Sequence, residues 1–113
     1  MGQSHSAIKS QVMEVLSGRG WPVLSFLSNG YTGPATTDNL ACVAPEGWFL
    51  AIEVKTPGDH PNPKDPRWIR QQRFMRRVRD AGGIAVYGES AREIVDKIDM
   101  ELVGRRRHKE VAS

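Results

Sequence analysis

One cysteine, Cys42, stands among 113 residues. An internal disulfide framework and a cysteine-based metal cluster are both excluded. Cys42 lies in an apolar run and reads as an inert core thiol, which fits a reducing, cytoplasmic setting. Long apolar runs are missing too: none approaches the roughly 20 residues that span a bilayer. The opening MGQSHSAIKS has no apolar core of the kind a secretory signal needs. Met1-Gly2 with Ser6 faintly matches an acylation pattern, and no other feature points to a membrane. Internal repeats and low-complexity segments are absent, which excludes solenoid and biased-composition classes.

What is present is an ordinary globular composition, 39% hydrophobic and 26% charged, enough for one domain with a modest core. Residues 6–17 put Ile8, Val12, Val15 and Leu16 on one helical face, ended by Gly18 and Gly20. Residues 22–27 read as a short strand and 28–37, SNGYTGPATT, as a loop. Two strands, 39–44 and 48–55, flank the tight turn Pro45-Glu46-Gly47. The four prolines of 56–66 exclude helix or central strand there. A helix over 67–80 stops at Gly82-Gly83, and 84–87 makes a strand. Ser90 with Glu93 forms a capping box for a last helix that ends near residue 103. Residues 1–103 are expected as the domain and 104–113, GRRRHKEVAS, as a frayed basic tail. Trp21, Tyr31 and Trp48 are candidates for a self-association surface, with core packing the competing role for Trp48.

Chemistry concentrates in WFLAIEVK, residues 48–55. Alternation along a strand sends Glu53 and Lys55 to the same face, at the end of an otherwise buried run. Buried charges are costly unless paired or metal-bound, so the couple is either a strand-end salt bridge or part of a site. With the turn at 45–47, residue 53 is expected opposite residue 39, and Asp38 then lies roughly 5–8 Å from Glu53 across the ladder. Two carboxylates and a lysine at one hairpin end could bind a hard cation such as Mg²⁺; Asp38 taken alone also reads as a strand-entry residue.

The helix over 67–80 adds two signals. Trp68, Phe74, Met75, Val78 and Ala81 share one side, and Gln71 sits in the middle of that stripe. A core-facing glutamine needs a polar partner, either backbone or the carboxylate, lysine or metal-bound water of the strand end. Gln72 falls at the margin of the stripe and is expected to be exposed. On the opposite side lie Arg70, Arg73, Arg76 and Arg77. Net charge is only +3, yet Arg outnumbers Lys eleven to five, and six arginines fall between Arg67 and Arg79. With only Asp80 to offset them, ion pairs within the helix do not explain the run. A solvated face is one reading; phosphate contact through planar, forked guanidinium groups is the other.

Taken in order, Asp38, then Glu53-Val54-Lys55, then Gln71 within QQRFMRRVRDAGG resembles the VRR-NUC domain, the virus-type replication-repair branch of the PD-(D/E)XK nuclease superfamily. Phe74, Val78 and Gly82-Gly83 stand at the spacings that the family helix carries, and SNGYTG looks like the segment before its Asp. The likeness runs over residues 7–98. It implies an α/β, restriction-endonuclease-like αβββαβ core with a C-terminal helix. It also implies metal-dependent, structure-selective DNA endonuclease activity, on branched or flapped DNA such as Holliday junctions. In that reading Asp38, Glu53 and the Val54 carbonyl hold Mg²⁺ or Mn²⁺, with Lys55 and Gln71 completing the catalytic set. Arg70, Arg73, Arg76 and Arg77, together with Arg105, Arg106 and Arg107, grip DNA. Stand-alone members of the family resemble homodimers, and a phage or prophage setting fits.

Departures from the pattern are specific. The family's first-helix Glu falls at His5, and Glu14, the nearest acid, lies on the polar face. His5 or Glu14 is therefore the candidate for an additional metal or outer ligand. Thr37 stands where a Pro commonly precedes the Asp, and the loop between Lys55 and Gln71 is long. These departures keep a second expectation open, a nucleic-acid-binding module that retains the fold without turnover. A third is a structural subunit whose acid–lysine pair is only a salt bridge.

Overall fold

The computed structural model describes residues 4–25, 37, 39–58 and 62–112. Its elements follow the expected order: α1 (His5–Gly18), β1 (Val23–Ser25), β2 (Asn39–Val43), β3 (Trp48–Val54), α2 (Pro66–Asp80), β4 (Ile84–Gly88) and α3 (Ala91–Ala112). Local chemistry accounts for the helix starts. Ser4 caps α1 by accepting from the Ala7 N–H, and Asp65 caps α2 by accepting from Arg67, with Pro66 at a position where its missing N–H costs nothing. At α3 the Ser90 hydroxyl accepts from Glu93 N–H, as the expected capping box requires, while the Glu93 carboxylate accepts from Glu89 N–H, one residue before the Ser90 N–H of the standard box.

The four strands lie in chain order, antiparallel except for the last pair, in which β4 runs parallel to β3 after the α2 crossover. Asn39 pairs with Ile52, one residue from the expected 39–53 register. The shift follows from the connection, since Val43 pairs with Trp48 and four residues form the turn.

Strand alternation sorts the protein into two layers. Ala41, Val43, Leu50, Ile52, Val54, Ile84 and Val86 point to one face, where Ile8, Val12 and Leu16 of α1 and Ile94, Ile98 and Leu102 of α3 complete the main core. Ala51 and Ala85 point to the other face, under Trp68, Met75 and Val78 of α2. Two alanines there let α2 approach the sheet closely. The approach is closest at Gly83, where a Cβ would lie 2.8 Å from Val78 Cγ1 and 3.0 Å from the Phe49 carbonyl oxygen. Its neighbour Gly82 has φ 94°, a backbone conformation that favours glycine. The Gly pair after α2 is thus a steric requirement of bringing that helix onto β3.

Several expectations are corrected. Val15 is 41% exposed, because α1 buries only the narrower Ile8–Val12–Leu16 stripe. Cys42 is exposed, since α2 covers the β3–β4 side of its face and leaves position 42 bare. Trp21 is buried in the main core and Trp48 packs against it, so neither is a free surface aromatic; Tyr31 lies outside the described residues. Ala81 is exposed as the residue that caps α2. Gln72 is exposed, as its place at the stripe margin implied.

The largest correction concerns the C-terminus. Helix α3 does not fray at Gly104 but continues to Ala112. Arg105 donates to the Gly82 and Gly83 carbonyls at 2.7 and 2.8 Å and lies over the Trp48 ring. Arg106 forms a two-pronged pair with Glu46 at 2.9 and 3.0 Å. The Arg106 fork holds the Glu46 carboxyl below its ordinary range. That contribution is present at neutral pH and is lost only as pH falls through the lowered value. Two arginines expected to be free are therefore tied to the α2–β4 and β2–β3 turns, and the ties extend the helix. Gly104 is exposed, and a Cβ there would meet nothing within 4 Å. Gly104→Ala should then raise stability by about 0.5–1 kcal/mol, as expected for a glycine in a helix interior. Urea titration checks this, and an unchanged midpoint would contradict an ordered helix at 104.

Candidate active site

Position 53 on β3 faces α2, and so does 55, so the two charges emerge beneath that helix instead of in the main core. Glu53 is 3% exposed and Gln71, from α2, is 4% exposed. Lys55 joins them: its Nζ lies 3.1 Å from Glu53 Oε2 and donates to Gln71 Oε1 at 3.0 Å. Of the alternatives open for Gln71, the polar partner is the strand-end lysine. The Lys55 backbone is fixed as well, with its N–H donating to the Gly88 carbonyl at 2.8 Å.

Trp68 forms the floor of the cluster. It stands three residues before Gln71, on the same helical face, and the Lys55 ammonium lies 4.3 Å from its ring centroid. Tyr87, which pairs with Glu53 across the parallel ladder, meets Trp68 edge to face with centroids 5.2 Å apart. Lys97 Nζ in turn lies 4.8 Å from the Tyr87 centroid. Two stacked-edge rings with a cation at each end thus link Lys55 to α3. The periodicity of α2 marks Trp68 only as core, and the sequence gives Tyr87 no role and Lys97 no defined position. The i,i+3 spacing of Trp68 and Gln71 was the available signal for the first; nothing local in the sequence places Lys97 near Tyr87.

The remaining candidates are distributed as follows. Asp38 lies outside the described residues. Its neighbour Asn39 is fully buried on the main-core face, and neither side-chain polar atom has a partner among the described residues. His5 is the first, half-buried residue of α1, and Glu14 is exposed on that helix, which packs on the sheet face opposite α2. Arg70, Arg73, Arg76, Arg77 and Arg107 are exposed.

Among the described residues no group of three or more His, Cys, Asp and Glu is placed to hold a metal ion. Glu53 nonetheless offers a buried carboxylate beside the backbone of Val54. Such hard oxygen donors, one or two carboxylates with water and phosphate, suit Mg²⁺ or Mn²⁺ rather than a thiolate-seeking ion.

No family profile matches the sequence, and no curated protein matches it. Among solved structures, a VRR_NUC domain superposes with a TM-score of 0.61, 22% identity, and coverage of 84% of this chain and 94% of that one. The chain therefore has a restriction-endonuclease-like α/β fold, and within that class the VRR_NUC arrangement of strands and helices. No helix among the described residues is long and apolar enough to cross a membrane.

The packing of Lys55 yields a stability test independent of activity. Lys55→Met keeps the aliphatic stem against Trp68 but takes the ammonium away from the buried Glu53 carboxylate. Removing one partner of a buried pair should cost on the order of 3 kcal/mol, read as a lower urea midpoint. A midpoint within error of the parent would show that Glu53 does not depend on Lys55.

Proposed function

We propose that this protein is a metal-dependent deoxyribonuclease that hydrolyses phosphodiester bonds at the Glu53–Lys55–Gln71 cluster. The observation that carries the proposal is the Lys55 ammonium, held between a buried carboxylate and a buried glutamine in a fold shared with a VRR_NUC domain. A salt bridge serving stability alone has no need of the third, buried polar partner.

In this reading Asp38, Glu53 and the Val54 carbonyl hold Mg²⁺ or Mn²⁺. When bound, such an ion polarises the scissile phosphate and lowers the pKa of its water. Lys55 supplies positive charge to the phosphate oxygens, where charge develops during attack. Gln71 acts as a positioning residue: its Oε1 accepts from the ammonium and fixes its direction. The Trp68 face favours the charged lysine from below. Arg70, Arg73, Arg76 and Arg77 contact the backbone without reading sequence, and Arg107 extends that surface. Arg105 and Arg106 already have intramolecular partners and contribute less. His5 is the position to test for an additional ligand; Glu14, exposed on the far layer, is the weaker one. Branched or flapped DNA is the proposed substrate. A homodimer with two-fold-related sites would cut paired strands symmetrically.

The His5 departure favours a second reading, a binding module of the same fold that has lost turnover. Cleavage of a labelled four-way junction, flap, duplex and single strand in Mg²⁺, Mn²⁺ and EDTA separates the two. The expected result is metal-dependent cutting, reduced about 100-fold or more by Glu53→Ala. Tight binding without cutting in either metal would replace the enzyme by the binding module.

A further inference from the structure

Among the described residues β4 is an edge strand, and its outer edge has an unusual covering. In a parallel pairing the N–H and C=O of one residue point the same way. The Gly88 carbonyl accepts from Lys55 N–H, so residues 84, 86 and 88 face β3 and residues 83, 85 and 87 face outward. Each outward carbonyl is met by a different cation. Arg105 donates to Gly83 at 2.8 Å, Arg79 to Ala85 at 2.9 Å and Lys97 to Tyr87 at 2.6 Å. The three come from two helices far apart in sequence, and line a cleft of about 710 Å³ between α2 and α3.

We infer that this cleft is a track for one extended strand of nucleic acid leading to or from the Glu53–Lys55 centre. The inference rests on the nuclease reading and extends it. Four observations support it. Alternate strand residues repeat at about 6–7 Å, so the cations form a regular row that suits successive phosphates of an extended chain. Arg79 and Lys97 each give one donor to their carbonyl, and an arginine has five and a lysine three, which leaves capacity for phosphate oxygens; Arg105, committed to Gly82, Gly83 and Glu101, anchors the far end of the row. The row retains net positive charge: Glu101 pairs with Arg105 at 3.0 Å and Glu93 lies 3.9 Å from Lys97, while Arg79 has no carboxylate partner among the described residues. Finally, Tyr87, which lines the cleft, pairs with Glu53 in the ladder, so one end of the row lies beside that strand end.

Tyr87 supplies a base contact at that end. Tyr87 is 39% exposed and its ring is braced by Trp68 and Lys97, which makes it a rigid partner for stacking a nucleobase. The alternative role for the cations is an edge guard, since basic side chains on an edge strand discourage sheet-to-sheet association. That role explains the carbonyl contacts but leaves the exposed Tyr87 and the convergence on Glu53 without a purpose.

Binding is measured in EDTA, with no cleavage, using a fluorescent 20-nucleotide single strand and a blunt duplex. Arg79→Gln/Lys97→Gln is expected to weaken single-strand binding at least tenfold. It should also flatten the salt dependence, the log–log slope falling by about 1.4 for two lost phosphate contacts. Tyr87→Ala should weaken it about fivefold or more, with Tyr87→Phe near the parent. Duplex binding is expected to change less than threefold in all of them. Thermal melts check folding, and ultraviolet crosslinking of an iodouracil-bearing strand to the unaltered protein gives a readout independent of the variants, with Tyr87 in the crosslinked peptide.

Unchanged single-strand affinity, crosslinks confined to α2, or no single-strand binding by the parent would each overturn the track. Unchanged affinity together with self-association of Arg79→Gln/Lys97→Gln would assign the cations to edge protection. The nuclease reading stands or falls separately, on metal-dependent cutting.

Discussion

The arrangement depends on a single ammonium. Lys55 is held by Glu53 from its own strand, by Gln71 from the crossover helix and by the Trp68 ring beneath it. Desolvating that charge is costly, and only the combined contacts offset the cost. They require α2 to lie close against β3, which in turn requires the small side chains at 51 and 85 and the absent Cβ at Gly83. The glycine pair, the alanines, the glutamine in the apolar stripe and the acid–lysine couple are one solution to one problem. It places a fixed positive charge beside a carboxylate at the end of an interior strand.

A consequence is the division of labour between the two layers. The face bearing α1 and α3 holds most of the large aliphatic side chains and carries stability. The α2 face is thinner, uses small residues, and carries the polar groups. Helix α3 bridges the two: its N-terminal half packs in the core, Lys97 reaches Tyr87, and Arg105 and Arg106 fasten two turns at the far end. Basic residues thus serve in two ways. Arg70, Arg73, Arg76 and Arg77 are exposed on α2, whereas Arg105 and Arg106, late in α3, fasten turns.

Much of this was legible in the sequence where the signal was local and periodic. The element order, the shared face of Glu53 and Lys55 and the inward Gln71 all follow from periods of two and 3.6 residues. The ordered set from Asp38 through Glu53, Lys55 and Gln71 to Gly83 points to the VRR-NUC arrangement, which a solved structure of only 22% identity shares. Long-range contacts set the limit. Gly104 and three arginines read as a tail because nothing in that segment shows that Gly82, Gly83 and Glu46 will receive Arg105 and Arg106. Cys42 and Val15 look like core residues by composition, and only the limited footprint of the covering helices exposes them. The cation row on β4 was equally invisible, because its members gain meaning only from the direction of backbone carbonyls.

In the proposed nuclease Lys55 and Gln71 act as one catalytic unit. Single-turnover DNA cleavage in Mg²⁺ by Lys55→Met, Gln71→Leu and the double variant tests it most directly. If Gln71 works only by directing Lys55, the double variant loses no more activity than Lys55→Met alone. Independent, multiplying losses would contradict that dependence, and full cleavage by both single variants would contradict the site itself.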